Sequence, residues 1–231
     1  MGDIKTLDKR LHRLWSEPDF FAFFKNHAKY RPIRVKKGDT IFFEGDEPRK
    51  LYLLEKGFVK LYRMSEEGRD TIIYLYGPGS ILAIRALTTR EKRLRHSAEA
   101  MTDVTVTTMP EEDFLRVLQE YPEHIVDLLA VFIDRLNYTE RKLEGFILTD
   151  TTARVASFLS DLAERFGEKK DTFITIPVPL THQQVADFVG AFRETVTVVL
   201  NRLKKDGILT QENGHITIFN LRKLKQQALL A

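Results

Sequence analysis

The stretch from Leu180 to Leu209, LTHQQVADFVGAFRETVTVVLNRLKKDGIL, constrains the fold more than any other part of the 231-residue chain. Thr181 with Gln184 three residues on is a capping box, in which the two side chains reciprocally accept amide hydrogens at the helix start. Val185, Phe188 and Val189 follow at helical spacing, and Gly190 then tolerates the positive φ that commonly ends a helix. In the next run Val196, Val199, Leu200 and Leu203 fall on one side, leaving Glu194, Val198 and Asn201 on the other with Arg193 and Thr197 on its shoulder. Two helices joined by a tight turn, the second with its polar face outward, form a helix-turn-helix. Such a unit lays the first turns of its second helix in the DNA major groove, where Arg bonds guanine and Glu accepts from cytosine. After Asp206-Gly207, residues 208–211 and 215–219 alternate about Glu212-Asn213-Gly214 as a hairpin, which makes the helix-turn-helix a winged one. The candidate DNA contacts are Thr181, His182 and Gln183 at the first helix start, and Arg193, Glu194, Thr197, Val198 and Asn201 on the second. A helical hairpin whose charged face is merely solvated would not require this ordered set of cap, glycine turn, outward face and wing.

Charge supports the same region mildly. The formal net charge is +3, and residues 181–231 hold seven Lys and Arg against four Asp and Glu, so residues 1–180 carry 29 of each sign. With no cysteine, the chain cannot hold a disulfide framework, a thiolate zinc site or an iron–sulfur cluster. The N-terminal MGDIKTLDKRLHRLW mixes charges into its apolar residues, and no later stretch has the length of a membrane span, so the expectation is a cytoplasmic protein without membrane contact.

Upstream the chain divides into two further zones. Between about Ile33 and Pro110, short apolar runs such as Leu51 to Leu54, Phe58 to Tyr62 and Thr71 to Leu75 are broken by glycine turns at hairpin spacing, which predicts an antiparallel β-roll. From Glu111 the periodicity turns helical. Ile125, Leu129, Phe132, Leu136, Leu143 and Phe146 recur in steps of four and three if Thr139 fills the gap, a coiled-coil seam that calls for a second copy of the same helix. The competing arrangement packs this helix on its own roll. A third zone opens at Thr149-Asp150-Thr151 with a capped helix to Phe166-Gly167, then a charged linker at Lys169 to Asp171, then a strand from Phe173 to Val178. The expected fold is therefore α+β: a roll with flanking helices over 1–120, a dimerisation helix over 121–148 and a winged helix-turn-helix over 149–231.

Taken with KKGDTIFFEGDEPRKLYLLEKGFVKLYR, RLNYTE and TDTTARVASFL, the motif THQQVADFVGAFRETVTVVL resembles the CRP/FNR family of bacterial transcription regulators over nearly the whole chain. Its DNA-binding part is most similar to the nitrogen-control branch. The resemblance implies a homodimer on an inverted-repeat operator, RNA polymerase as a partner, and a small effector between a cyclic-nucleotide-binding-like jelly roll and the long helix. Arg193 and Glu194 match the family's base-reading pair. Val198 stands where many members have another Arg, and Ala191-Phe192 replaces a small polar pair, so Val198 would offer a thymine methyl an apolar contact instead.

The implied effector site is Leu82, Ala83, Ile84, Arg85, Arg95, His96, Ser97, Arg135, Thr139 and Glu140. Cyclic-AMP binders carry a Gly-Glu pair where this chain has Ala83-Ile84, and an Arg-Ser pair where it has His96-Ser97. The missing carboxylate disfavours cyclic AMP. The nitrogen-control branch binds 2-oxoglutarate through an Arg and a Glu five residues apart, a spacing matched by Arg135 and Glu140, although that branch's backbone cradle is replaced by Leu82 to Ala86. An anionic metabolite such as 2-oxoglutarate thus stays open, as does the reading of Arg135 and Glu140 as solvated helix charges. Enzymatic roles lack machinery: residues 31–110 contain one histidine, His96, and no nucleophile-elbow or phosphate-loop motif occurs. The remaining rival is a ligand-binding module serving as a protein adaptor, which would not need Arg193 and Glu194 on the outer face of the second helix.

Overall fold

The glycine turns space the strands of the N-terminal half so that they fold back on one another. The computed structural model describes residues 18–27, 31–47, 49–65, 68, 70–84 and 93–229. Helix α1 (Pro18–His27) precedes β1 (Ile33–Val35), β2 (Thr40–Phe42), β3 (Lys50–Lys56), β4 (Val59–Met64), β5 (Asp70–Tyr76), β6 (Ile81–Leu82), β7 (Ser97–Ala100) and β8 (Val104–Pro110). They build two four-stranded sheets, ordered β1-β8-β3-β6 and β2-β7-β4-β5. The long pairing is antiparallel β3 on β8, Leu51 opposite Met109 and Leu53 opposite Thr107. Helix α2 (Glu111–Glu120) buries Phe114, Val117 and Leu118 against Phe24, Leu51, Leu53 and Met109, closing one core. Gly57 shows why a turn here takes glycine: its φ is +84°, and a Cβ would lie 2.4 Å from the Asp103 carbonyl oxygen.

The long helix α3 (His124–Leu148) runs on for 25 residues. The chain divides into two compact units, 1–61 with 75–139 and 62–74 with 140–231, so this helix and the β4–β5 hairpin each contribute to both.

In the second unit, helix α4 (Thr151–Phe166) starts on Asp150, whose carboxylate accepts from the Ala153 amide at 2.8 Å. Helices α5 (His182–Val189) and α6 (Arg193–Lys205) stack on it, with the Phe158 and Phe188 rings 4.5 Å apart, and α7 (Leu221–Leu229) adds Leu224. Burying Phe188 fully contributes about 2–3 kcal/mol.

Strands β9 (Glu168–Lys170), β10 (Phe173–Thr175), β11 (Leu209–Glu212) and β12 (His215–Ile218) form one sheet ordered β11-β12-β10-β9. Two sequence expectations change here. The charged segment read as a linker is an edge strand hairpinned to β10 through Asp171 at φ +42°, and its exposed Glu and Lys residues suit an unpaired edge. The strand expected to reach Val178 stops at Thr175, before Pro177 and Pro179, residues that cannot donate to a ladder.

Candidate nucleic-acid interface and effector cradle

The capping box at Thr181 forms as its residue types dictate. The Gln184 amide donates to Thr181 Oγ1 at 3.1 Å, and Gln184 Oε1 accepts from the Thr181 amide at 2.9 Å. Gly190 ends α5 in the left-handed conformation at φ +61°, and a Cβ there would sit 2.6 Å from the Phe146 ring. Arg154 braces the same corner, donating from Nε to the Val189 carbonyl at 3.0 Å and from Nη1 to the Thr149 carbonyl at 2.8 Å.

Helix α6 then turns Val196, Val199, Leu200 and Leu203 inward and leaves Arg193, Glu194, Val198 and Asn201 exposed. Thr197 is half-buried, its hydroxyl donating to the Arg193 carbonyl at 2.9 Å. His182 is partly buried. Its Nδ1 lies 2.8 Å from Thr197 Oγ1 and its Nε2 lies 3.0 Å from Gln211 Oε1, while Gln211 Nε2 donates to the Leu180 carbonyl at 2.8 Å. One imidazole therefore joins α5, α6 and the wing strand β11. Gln183 stays on the exposed surface of α5 and donates to Asp187 at 2.7 Å. Gln211 and Arg154 escaped sequence reasoning because their partners lie about 30 residues away; only Gln211's place in an otherwise short alternating strand hinted at a role.

Ile125, Leu129, Leu136 and Leu143 of α3 are exposed, joined by Val126 and Ile133, with Ile125 at 51% and Leu143 at 58%. Phe132, placed in the seam by its spacing, packs instead on the roll core beside Leu128. Phe146 lies against Gly190 and under the Arg154 guanidinium, 5.6 Å from its ring centre.

In the roll, Leu82 and Ile84 belong to the core and are almost wholly buried. Ala83 between them adopts φ +64°, a strained conformation for a residue with a Cβ. The Ser97 hydroxyl accepts from the Glu44 amide at 2.9 Å. Arg135 donates to the Tyr76 hydroxyl at 2.6 Å, and Thr139 donates to the Arg135 carbonyl at 2.8 Å. Arg95 is exposed and His96 half-buried; Arg85 lies outside the described residues, and Glu140 is exposed in the second unit.

Comparison with known proteins follows this division. Residues 32–121 match the cyclic nucleotide-binding domain family, and residues 153–227 match the Crp-like helix-turn-helix domain. The chain is 35% identical to a global nitrogen regulator of Synechococcus elongatus over 85% of its own length and 90% of that protein. The chain belongs to the CRP/FNR family of transcription regulators. This CRP/FNR regulator is also 30% identical to a CRP-like cAMP-activated global transcriptional regulator of Mycobacterium tuberculosis, across 86% of the chain and 88% of the relative. A CRP/FNR-family regulator of Thermus thermophilus superposes with a TM-score of 0.70 at 29% identity, covering 86% of the chain and 98% of that structure. The α+β fold of roll, long helix and C-terminal helix-turn-helix is thus that of the family, and its relatives regulate transcription rather than catalyse reactions. Among the described residues no helix is long and apolar enough to cross a membrane.

Proposed function

We propose that this CRP/FNR regulator acts as a homodimer that reads an inverted-repeat operator with α6 and works with RNA polymerase. The observation that carries the reading is the outward face of α6, where Arg193 and Glu194 stand exposed in the first turn of a helix locked to its neighbours by the Thr181 box, Gly190 and His182. Helix starts enter the major groove, and paired readers meet half-sites about one turn of DNA apart. The exposed α3 stripe supplies the pairing surface, because six large apolar side chains on one helix gain most by burial on a copy of themselves. The functional division we assign is a roll with its helices over 1–120, a pairing helix over 121–148 and a reader over 149–231. Thr181, Gln183 and Asn201 then approach the DNA backbone or base edges beside Arg193, Glu194, Thr197 and Val198, whereas His182 acts by holding α6.

We further propose a small anionic effector at Leu82 to Arg85, Arg95, His96 and Ser97 in the roll, sensed by Arg135, Thr139 and Glu140 on the long helix. The guanidinium of Arg135 suits a carboxylate, and Ala83 at φ +64° marks a strained backbone of the kind that clusters at ligand sites. Sedimentation of wild type and Leu136→Lys tests the pairing. We expect a dimer for wild type and a monomer for Leu136→Lys, with the variant losing its preference for a duplex bearing two half-sites over one. A variant dimer of unchanged stability contradicts pairing through α3.

A further inference from the structure

Two large apolar side chains interrupt the polar reading face. Phe192 is 72% exposed and Val198 69%, the two most exposed large hydrophobic residues among the described residues of the second unit outside the α3 terminus. Neither is explained by packing within the chain, since the inward side of α6 is already filled by Val196, Val199, Leu200 and Leu203. Phe192 also occupies the N-cap of α6, with extended φ −80° and ψ 145°, and makes no side-chain cap hydrogen bond. A Ser, Thr, Asn or Asp there would satisfy an orphan amide of the first turn. The position therefore forgoes a local gain and holds an aromatic ring in water.

The neighbours of the pair point to what covers it. Phe192 directly precedes Arg193, and Val198 lies one turn beyond Glu194 and beside Asn201 and Arg202 on the exposed side of the same helix. Residues 181–231 carry net positive charge, so an anionic surface is drawn to this face. In the major groove, where the start of a second helix of this kind lies, the feature that rewards an exposed apolar side chain is the thymine 5-methyl group. Six residues separate the two side chains, about 9 Å along a helix, so they reach different base pairs.

We infer that Phe192 and Val198 are specificity-determining residues that read thymine methyl groups on either side of the base contacted by Arg193. The inference rests on the DNA-reading function proposed above. It makes the operator half-site rich in thymine where a second Arg would have selected guanine, and it explains the exposed ring at a position that would otherwise cap the helix.

Selection of bound duplexes from a random library with the full-length protein identifies the preferred half-site. Each thymine in that site is then replaced singly by deoxyuridine, which removes the methyl and leaves every hydrogen-bonding edge intact. We expect two positions at which the replacement weakens wild-type binding about fourfold, the effect of losing one buried methyl. At one of them the loss should disappear in Phe192→Ala, and at the other in Val198→Ala. Both residues are exposed, so both variants keep the fold. Uridine replacement that is silent throughout the site, or losses that persist in both variants, overturns the methyl reading while leaving sequence-specific binding intact. A library that enriches no sequence overturns the DNA-reading function itself and this inference with it.

Discussion

The reading face and the effector cradle place their candidate residues in opposite ways. On α6 the side chains of Arg193, Glu194, Val198 and Asn201 face solvent from a helix whose far side is packed, so the surface is ready for a partner as it stands. In the roll, Leu82 and Ile84 are turned into the core, Ser97 holds the Glu44 amide, and Arg135 holds Tyr76. A ligand there meets backbone, or displaces an existing hydrogen bond. On the proposed reading, recognition of DNA is built into a packed helix, while recognition of an effector would have to be exchanged for internal contacts, a requirement that suits a switch.

The comparison breaks first at Gly190. Valine there meets both a left-handed backbone and the Phe146 ring, and we expect a loss of about 3 kcal/mol, read as a fall of roughly 10–20 °C in the melting of the reader. Adding Phe146→Ala should recover part of the loss; no recovery would mean that backbone conformation alone sets it. His182→Ala should cost about 1–2 kcal/mol, because it strands Gln211 and Thr197. It should weaken operator and random DNA alike without altering the preferred sequence. A changed base preference in a binding selection would make His182 a reader rather than a brace.

A pH-dependent effect lies at segment 62–74, which belongs to the second unit. There Lys142 Nζ donates to the Ile72 carbonyl at 2.8 Å, and Arg165 donates to the Tyr74 hydroxyl at 2.8 Å. Burial lowers the Lys142 ammonium to about 8 from 10.5. The unfolded chain therefore binds this proton more tightly, so the group's contribution to stability rises as pH goes from about 8 to 10.5. Lys142→Met should flatten that part of the melting profile relative to wild type. An unchanged slope would show that the ammonium stays hydrated.

The reader was legible from sequence because its determinants are local. The Thr181–Gln184 box, Gly190 and the alternation about Asn213-Gly214 each depend on residues a few positions apart, and each takes the expected form. The bridging role of His182 was not legible because its partners Thr197 and Gln211 come from other elements, and a half-buried bridging histidine has the same local pattern as an exposed one. The contact of Phe132 with the roll core was not legible from its seam spacing, because the core residues it packs against, such as Leu51 and Leu53, lie on strands far away in sequence. Lys169 to Asp171 read as a linker because an edge strand tolerates charges at every position. The cradle was least legible, since the packing of Leu82 and Ile84 depends on strands far away in sequence.

The most direct test of the account is the affinity of Arg193→Ala, measured in parallel on the selected operator and on random duplex at one salt concentration. We expect a loss of about 1–3 kcal/mol on the operator, a much smaller loss on random DNA, and relaxed preference at a single base pair of each half-site. Equal losses on both duplexes would confine Arg193 to the phosphate backbone and contradict base reading by α6.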